Sequence, residues 1–260
     1  MTRLALDNLR RCMASVDQLL DGLSAADWST QSLCPAWTVR GVVGHLAGVE
    51  HMLLGAAPGS MTESIPFGKV AEWEAQYADL DDAGYLAAYR STIAGRLAEF
   101  DSMTDDQLEL PSATPVGPGT YGRFMAVRVF DYWVHEQDIR VPLGQPGHEN
   151  GPAAEMALDE IHRSLPYIVG KKIGLPDGMS ITFELTGPVE RTMHVIVDGR
   201  AGLVDSIDSP DVVVRADSTT FALLACGRVD PQQPIDAGRI EVSGPVEWAD
   251  RAARNLAFTM

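Results

Sequence analysis

The 260-residue chain is 45% hydrophobic and 22% charged, a globular balance that excludes a disordered, collagen-like or coiled-coil protein. Its 20 basic residues face 36 acidic ones, and a surface with a net charge of −16 repels phosphate, which argues against nucleic-acid partners and polybasic membrane docking. The three cysteines, Cys12, Cys34 and Cys226, are odd in number and far apart, with no CxxC pair, so they point to a reducing cytoplasm rather than a disulfide framework.

The N-terminal stretch carries Arg3, Asp7, Arg10, Arg11 and Asp17 and does not read as a signal peptide. No segment reaches the roughly 20 apolar residues that a membrane-spanning helix needs. Leu6, Leu9, Met13, Val16 and Leu20 recur at spacings of three and four, one apolar helical stripe. Ser24 is placed to cap a short turn reaching Trp28, and Thr38 to cap a long helix over residues 39–54. A third helix is predicted over about residues 83–100, with Tyr85, Leu86, Tyr89, Ile93, Leu97 and Phe100 on its stripe. Prolines and glycines then predict a loop over residues 111–119. A fourth helix follows over residues 121–141, apolar at Phe124, Val127, Phe130 and Val134. Four long helices joined by polar loops suggest a helical bundle over residues 1–144.

Residues 142–152 hold three prolines and three glycines and read as a linker. After a helix over residues 153–169 the period changes to alternation. Residues 180–185 and 192–197 read as strands joined through Gly187-Pro188, and residues 212–215 as a third. Ser218 is expected to cap a helix reaching Ala225, residues 239–242 return to strand, and a last helix starts at Pro245. The expected fold class is therefore two-domain α+β, a helical bundle followed by a small α+β domain over residues 150–260.

Asp131 and His135 stand four apart in the fourth helix, so their side chains share one face and can chelate one divalent cation. A surface hydrogen bond between them is the ordinary alternative. His45 lies among Val42, Val43, Leu46 and Val49 and needs a polar partner inside. It is either a satisfied core histidine or the third donor of an Asp/His/His set, which leaves coordination positions open as catalytic sites do. Asp138, three residues beyond His135, either orients that ring or is a solvated charge. His51, His148, His162 and His194 read as structural, and Glu136 points away from His135. The chain has no G-x-G-x-x-G, no GxxxxGK[ST] and no G-x-S-x-G, and no cysteine has a base nearby in sequence, so a nucleophile of its own is unsupported. The scattered tryptophans read as packing groups.

Two strings carry a resemblance. Cys34-Pro-Ala-Trp-Thr-Val-Arg-Gly-Val-Val-Gly-His45-Leu-Ala resembles the first motif of the mycothiol-dependent maleylpyruvate isomerase family, part of the DinB-like bundle superfamily. Arg128-Val-Phe-Asp131-Tyr-Trp-Val-His135-Glu-Gln-Asp138-Ile resembles its second motif. Phe221-Ala-Leu-Leu-Ala-Cys-Gly-Arg228 and Ile240-Glu-Val-Ser-Gly244 are similar, less specifically, to its second domain. The resemblance implies a DinB-like bundle, a sterol-carrier-like C-terminal domain, and His45, Asp131 and His135 as metal ligands. Asp131 is one methylene shorter than the glutamate of the isomerase itself. The family's functional C-terminal arginine corresponds best to Arg228, for which a surface charge at a helix end is the alternative reading.

The implied chemistry is metal activation of a small-molecule thiol, mycothiol, that adds to a small electrophile, giving an isomerase or an S-transferase. Zinc suits the ligands, with nickel, cobalt or iron as alternatives. A metal-dependent hydrolase of the same bundle type and a non-catalytic metal or ligand carrier are the competing readings.

Overall fold

Apolar stripes set the first unit. In the computed structural model, which describes residues 2–259, α1 (Thr2–Leu20) buries Leu6, Leu9, Met13 and Val16 on the face that packs against α7 (Tyr121–Arg140). The chain divides into two compact units, one running to His148 and the other beginning at Glu149. Ser24 caps α2 (Ala25–Ser29) by accepting from the Asp27 amide, and the Asp27 carboxylate accepts from the Ser24 amide in return. Thr38 caps α3 (Val39–Leu53), accepting from the Gly41 amide, as the sequence predicts.

A 3-10 turn (Phe67–Lys69) leads into α4 (Val70–Tyr77), a short helix that the sequence reading did not resolve. It lies close on α3 because Gly44 and Gly48 present bare backbone there. A Cβ at Gly44 would strike the Glu74 carboxylate and the Tyr85 hydroxyl, and one at Gly48 the Val70 carbonyl. The longer α5 (Asp82–Ser102) starts at an Asp81 cap, and the short α6 (Asp105–Leu108) follows. Together α1, α3, α5 and α7 form the helical bundle.

The loop expected over residues 111–119 is instead an antiparallel hairpin of β1 (Pro111–Thr114) and β2 (Gly117–Thr120), in which Thr114 pairs with Gly117. Gly117 takes φ +108° at the turn, which glycine tolerates. Each strand of a two-stranded ladder has one edge outside the ladder, so its prolines are accommodated.

The second unit begins with α8 (Gly151–Tyr167), with Pro152 in its first turn, and continues as a π-helical turn (Ile168–Ile173) that Gly174 ends at φ +72°. The strands are β3 (Ser180–Thr186), β4 (Arg191–Asp198), β5 (Arg200–Val204), β6 (Val212–Asp217) and β7 (Ile240–Ser243), in the order β5-β4-β3-β6-β7. Central β3 runs parallel to β6, with Phe183 level with Val214, and the other pairs are antiparallel. β5 escaped the sequence reading because Arg200-Ala-Gly-Leu-Val lacks clear alternation.

The helices are α9 (Ser218–Ala225), α10 (Gln232–Asp236) and α11 (Val246–Arg254). The N-cap of α9 is Asp217 rather than Ser218: its carboxylate accepts from the Thr220 amide, while Ser218 is buried as the first helical residue. Phe183 and Phe221 meet in the core of this unit with ring centroids 5.5 Å apart. The chain is thus a helical bundle followed by a sheet-containing α+β unit. Among the described residues no helix is long and apolar enough to cross a membrane.

Candidate metal centre

Helices α3 and α7 bring together the three residues singled out in the sequence. His45 projects from α3, and Asp131 and His135 stand one turn apart on α7. His45 Nε2 lies 3.6 Å from Asp131 Oδ2, and His135 Nε2 lies 3.6 Å from Asp131 Oδ1. The two imidazoles meet nearly edge-on at 4.7 Å between centroids, and Trp37 stacks on His45 at 4.8 Å. His45 Nε2 is buried and has no hydrogen-bond partner. A buried ring nitrogen left unpaired is costly, and this one faces a carboxylate and a second imidazole. The surface hydrogen bond between Asp131 and His135 is not formed at that separation.

Asp131 is held from behind. Arg128 donates to its Oδ2 in a very short contact, and Arg128 in turn donates twice to Glu50 Oε1, at 2.8 and 3.1 Å. Glu50 has no exposed surface and also accepts from Arg96 at 3.0 Å, while Arg96 contacts Glu99 and the Tyr121 hydroxyl. Burial opposes ionisation of Asp131, but the Arg128 guanidinium and the two imidazoles outweigh it. They keep its carboxyl well below the usual carboxylate range.

The other side of the His135 ring is equally engaged. Its Nδ1 lies 2.8 Å from Asp138 Oδ2, and the Cys34 thiol donates to the same oxygen at 3.0 Å. Asp138 is fully buried, so it is not a solvated charge. Cys34 lies 104 positions earlier, in a segment strapped down by Leu33 N to Asp138 O, Trp37 N to Cys34 O and Gln31 Nε2 to the Cys34 and Trp37 carbonyls. A cysteine beside a histidine and an acid was invisible in the sequence, because only the fold joins that segment to α7.

Glu136 points away from His135, as expected, but into the interior, where it accepts from Ser15, Arg140 and the His148 ring. His148 adopts φ +54° there, and His194 pairs with Thr182 at 2.8 Å. Arg228 lies in the second unit just past α9, half-buried, and donates to the Cys226 carbonyl at 2.9 Å. Glu50, Arg96 and Arg128 were missed. The one available signal was a charged residue at the buried positions of otherwise apolar helices.

Ligand atoms about 2.0–2.2 Å from one tetrahedral zinc stand about 3.3–3.6 Å apart. The separations around Asp131 match that spacing and exceed a hydrogen bond, and the ligand atoms of His45, Asp131 and His135 all lie within 4.8 Å of one another. Two imidazoles and a carboxylate are also the donors that a catalytic divalent cation takes, so the residues fit the group. A cleft of about 420 Å³ lined by Trp37, Gly41, Gly44, His45, Phe67 and Glu74 opens on His45.

The family profile described as the mycothiol maleylpyruvate isomerase N-terminal domain matches residues 9–140, and that described as the MDMPI C-terminal domain matches residues 155–251. Among solved structures, a crystal structure of the mycothiol-dependent maleylpyruvate isomerase is similar with a TM-score of 0.62 and 16% identity, over 94% of this chain and 93% of that one. A point mutant of that enzyme gives a TM-score of 0.61 at the same identity and the same two coverages. At this identity the likeness is one of fold. Among curated proteins none matches the sequence.

Proposed function

The chain belongs to the mycothiol maleylpyruvate isomerase family, and from that premise we propose that it is a divalent-metal- and mycothiol-dependent enzyme that activates a small-molecule thiol for addition to a small electrophile. The bundle, residues 1–144, binds the metal through His45, Asp131 and His135, and the α+β domain, residues 150–260, supplies Arg228. A bound cation, with zinc best suited to these donors, would favour the deprotonated form of an incoming thiol near neutral pH. The observation that carries the reading is the buried, unpartnered Nε2 of His45 facing Asp131 and His135.

The chain's own residues do the positioning. Arg128, its charge balanced by Glu50, fixes the Asp131 carboxylate, Trp37 shields one face of His45, and the cleft beside His45 admits a ligand. The thiolate adds to a carbon–carbon double bond conjugated to a carbonyl, which takes up the electron pair. Rotation about the resulting single bond and expulsion of the thiolate give the isomer and return the thiol, whereas protonation of the adduct gives the transfer product.

The test combines elemental analysis with mycothiol and a panel of electrophiles, read by mass spectrometry. Wild type is expected to hold about one divalent ion per chain and to consume an electrophile only when the thiol is present. His135→Ala should lose most of the ion. Arg228→Ala should keep the ion and lose turnover. Thiol-independent consumption, or no bound ion in wild type, overturns the reading.

A further inference from the structure

Building on the metal site just proposed, we infer that Cys34 and Asp138 are positioning residues that hold the His135 ring in one tautomer, with hydrogen on Nδ1 and the Nε2 lone pair turned toward His45 and Asp131. The mechanism above leaves both residues unused, although Cys34 lies in the first sequence motif and Asp138 in the second.

Two groups in the bundle hold three potential metal ligands in close proximity: His45, Asp131 and His135 on one side of the ring, and Cys34, His135 and Asp138 on the other. Their spacings differ in kind. On the first side each imidazole Nε2 stands 3.6 Å from an Asp131 oxygen, too long for a hydrogen bond and right for a shared cation. On the second side, Asp138 Oδ2 lies 2.8 Å from His135 Nδ1 and 3.0 Å from Cys34 Sγ, which are hydrogen-bond separations and shorter than one cation imposes. One side is therefore a cation seat and the other a hydrogen-bonded brace.

A carboxylate oxygen only accepts, so the ring nitrogen facing it carries the hydrogen. The imidazole then has its lone pair on Nε2, the atom that faces Asp131. Cys34 lies 3.8 Å from the same ring nitrogen, beyond a useful bond to it, and its thiol hydrogen goes to Asp138. The sulfur thus holds the carboxylate in place, and it is buried with its hydrogen engaged, the arrangement of a donor rather than of a nucleophile. The main-chain bond from Leu33 N to the Asp138 carbonyl at 3.1 Å ties the cysteine's segment to α7 at the same residue. Carboxylate–histidine–metal triads act in this way, fixing ring orientation and raising ligand basicity.

The test uses the full chain with ¹⁵N-labelled histidine, freed of metal, at a pH where the ring is neutral. The two nitrogen shifts of His135, identified by their absence in His135→Ala, report its tautomer. Wild type and Cys34→Ser are expected in the Nδ1–H form, Asp138→Asn as a mixture, and Cys34→Ala with a smaller drift in the same direction. Zinc affinity by chelator competition should fall about 10–100-fold in Asp138→Asn and stay within about threefold of wild type in Cys34→Ser, whose hydroxyl still donates. A merely structural role would leave the tautomer unmoved.

An Nε2–H form in wild type overturns the inference without any variant. So does an unchanged tautomer in Asp138→Asn, or Cys34→Ser losing as much affinity as Cys34→Ala. If wild type binds no zinc, the metal reading fails by itself, because the tautomer measurement still decides whether the brace exists.

Discussion

The interiors of the two units are built on opposite principles. The bundle buries Glu50, Arg96, Arg128, His135, Glu136 and Asp138, and ties them into connected ion pairs and hydrogen bonds. The sheet unit packs Ile181, Phe183, Val195, Val212, Val214 and Phe221. Among the described residues its buried polar groups are hydroxyls and the single glutamate Glu160. An apolar interior stabilises through area removed from water. Buried charges replaced by well-packed apolar groups are often neutral or better for stability, so an interior that keeps them is a candidate for function. By that measure the bundle is the candidate for the chemistry, and of these six Arg128 and Asp138 bond directly to the candidate ligands Asp131 and His135.

The largest expected effect tests the charged interior. Glu50→Ala leaves Arg96 and Arg128 without their shared counter-charge, and urea unfolding should show a loss of about 3–5 kcal/mol. Metal content should fall with it, because Arg128 then pulls on Asp131 alone. A loss below about 1 kcal/mol would mean that water reaches these guanidiniums and that the contrast between the interiors is overstated.

Phe183→Ala, in the apolar core, should cost about 3–5 kcal/mol through lost burial and a residual cavity. Unlike Glu50→Ala it should leave the bound ion in place, and elemental analysis of the folded protein distinguishes the two.

A smaller effect is confined to acid. Hydrogen bonds from the Ser180 hydroxyl and amide, at 2.7 and 2.8 Å, lower the Asp211 carboxyl below its usual range. A group whose folded value is depressed stabilises fully above its unfolded value, about 3.9, and that stability disappears as pH falls through the folded value. Asp211→Asn should therefore flatten the acid side of the stability profile below about pH 4 and change little near neutrality, as followed by thermal melts across pH.

Smallest of all is Arg215→Ala. Its pair with Glu184 at 2.5 Å is exposed and screened by water, so thermal melts of the variant and of wild type should coincide.

Much of this was legible in the residues themselves. The stripes of α1, α3, α5 and α7, the caps at Ser24 and Thr38, and the alternation of β3, β4 and β6 are local signals, since helical and strand periods are written within a dozen residues. The pairing of Asp131 with His135 on one helix face was legible for the same reason, and His45 because a lone imidazole in an apolar helix asks for a partner. The hairpin after α6 was not, since prolines and glycines suit a loop and a two-stranded ladder alike. Nor was β5, which borrows its order from β4, or the cap of α9, where Asp217 and Ser218 are both competent and only backbone direction selects between them.

The residues alone determined two stretches of different period, an acidic net charge, and three donor side chains with their faces along each helix. Tertiary structure alone decided that α3 brings His45 to α7, that Arg128 answers to Glu50 as well as Asp131, and that Cys34 reaches Asp138. The physical reason is range. Periodicity and capping act between neighbours in the chain, whereas a candidate metal site requires side chains from distant helices to meet within a few ångströms, which only the packing of those helices sets.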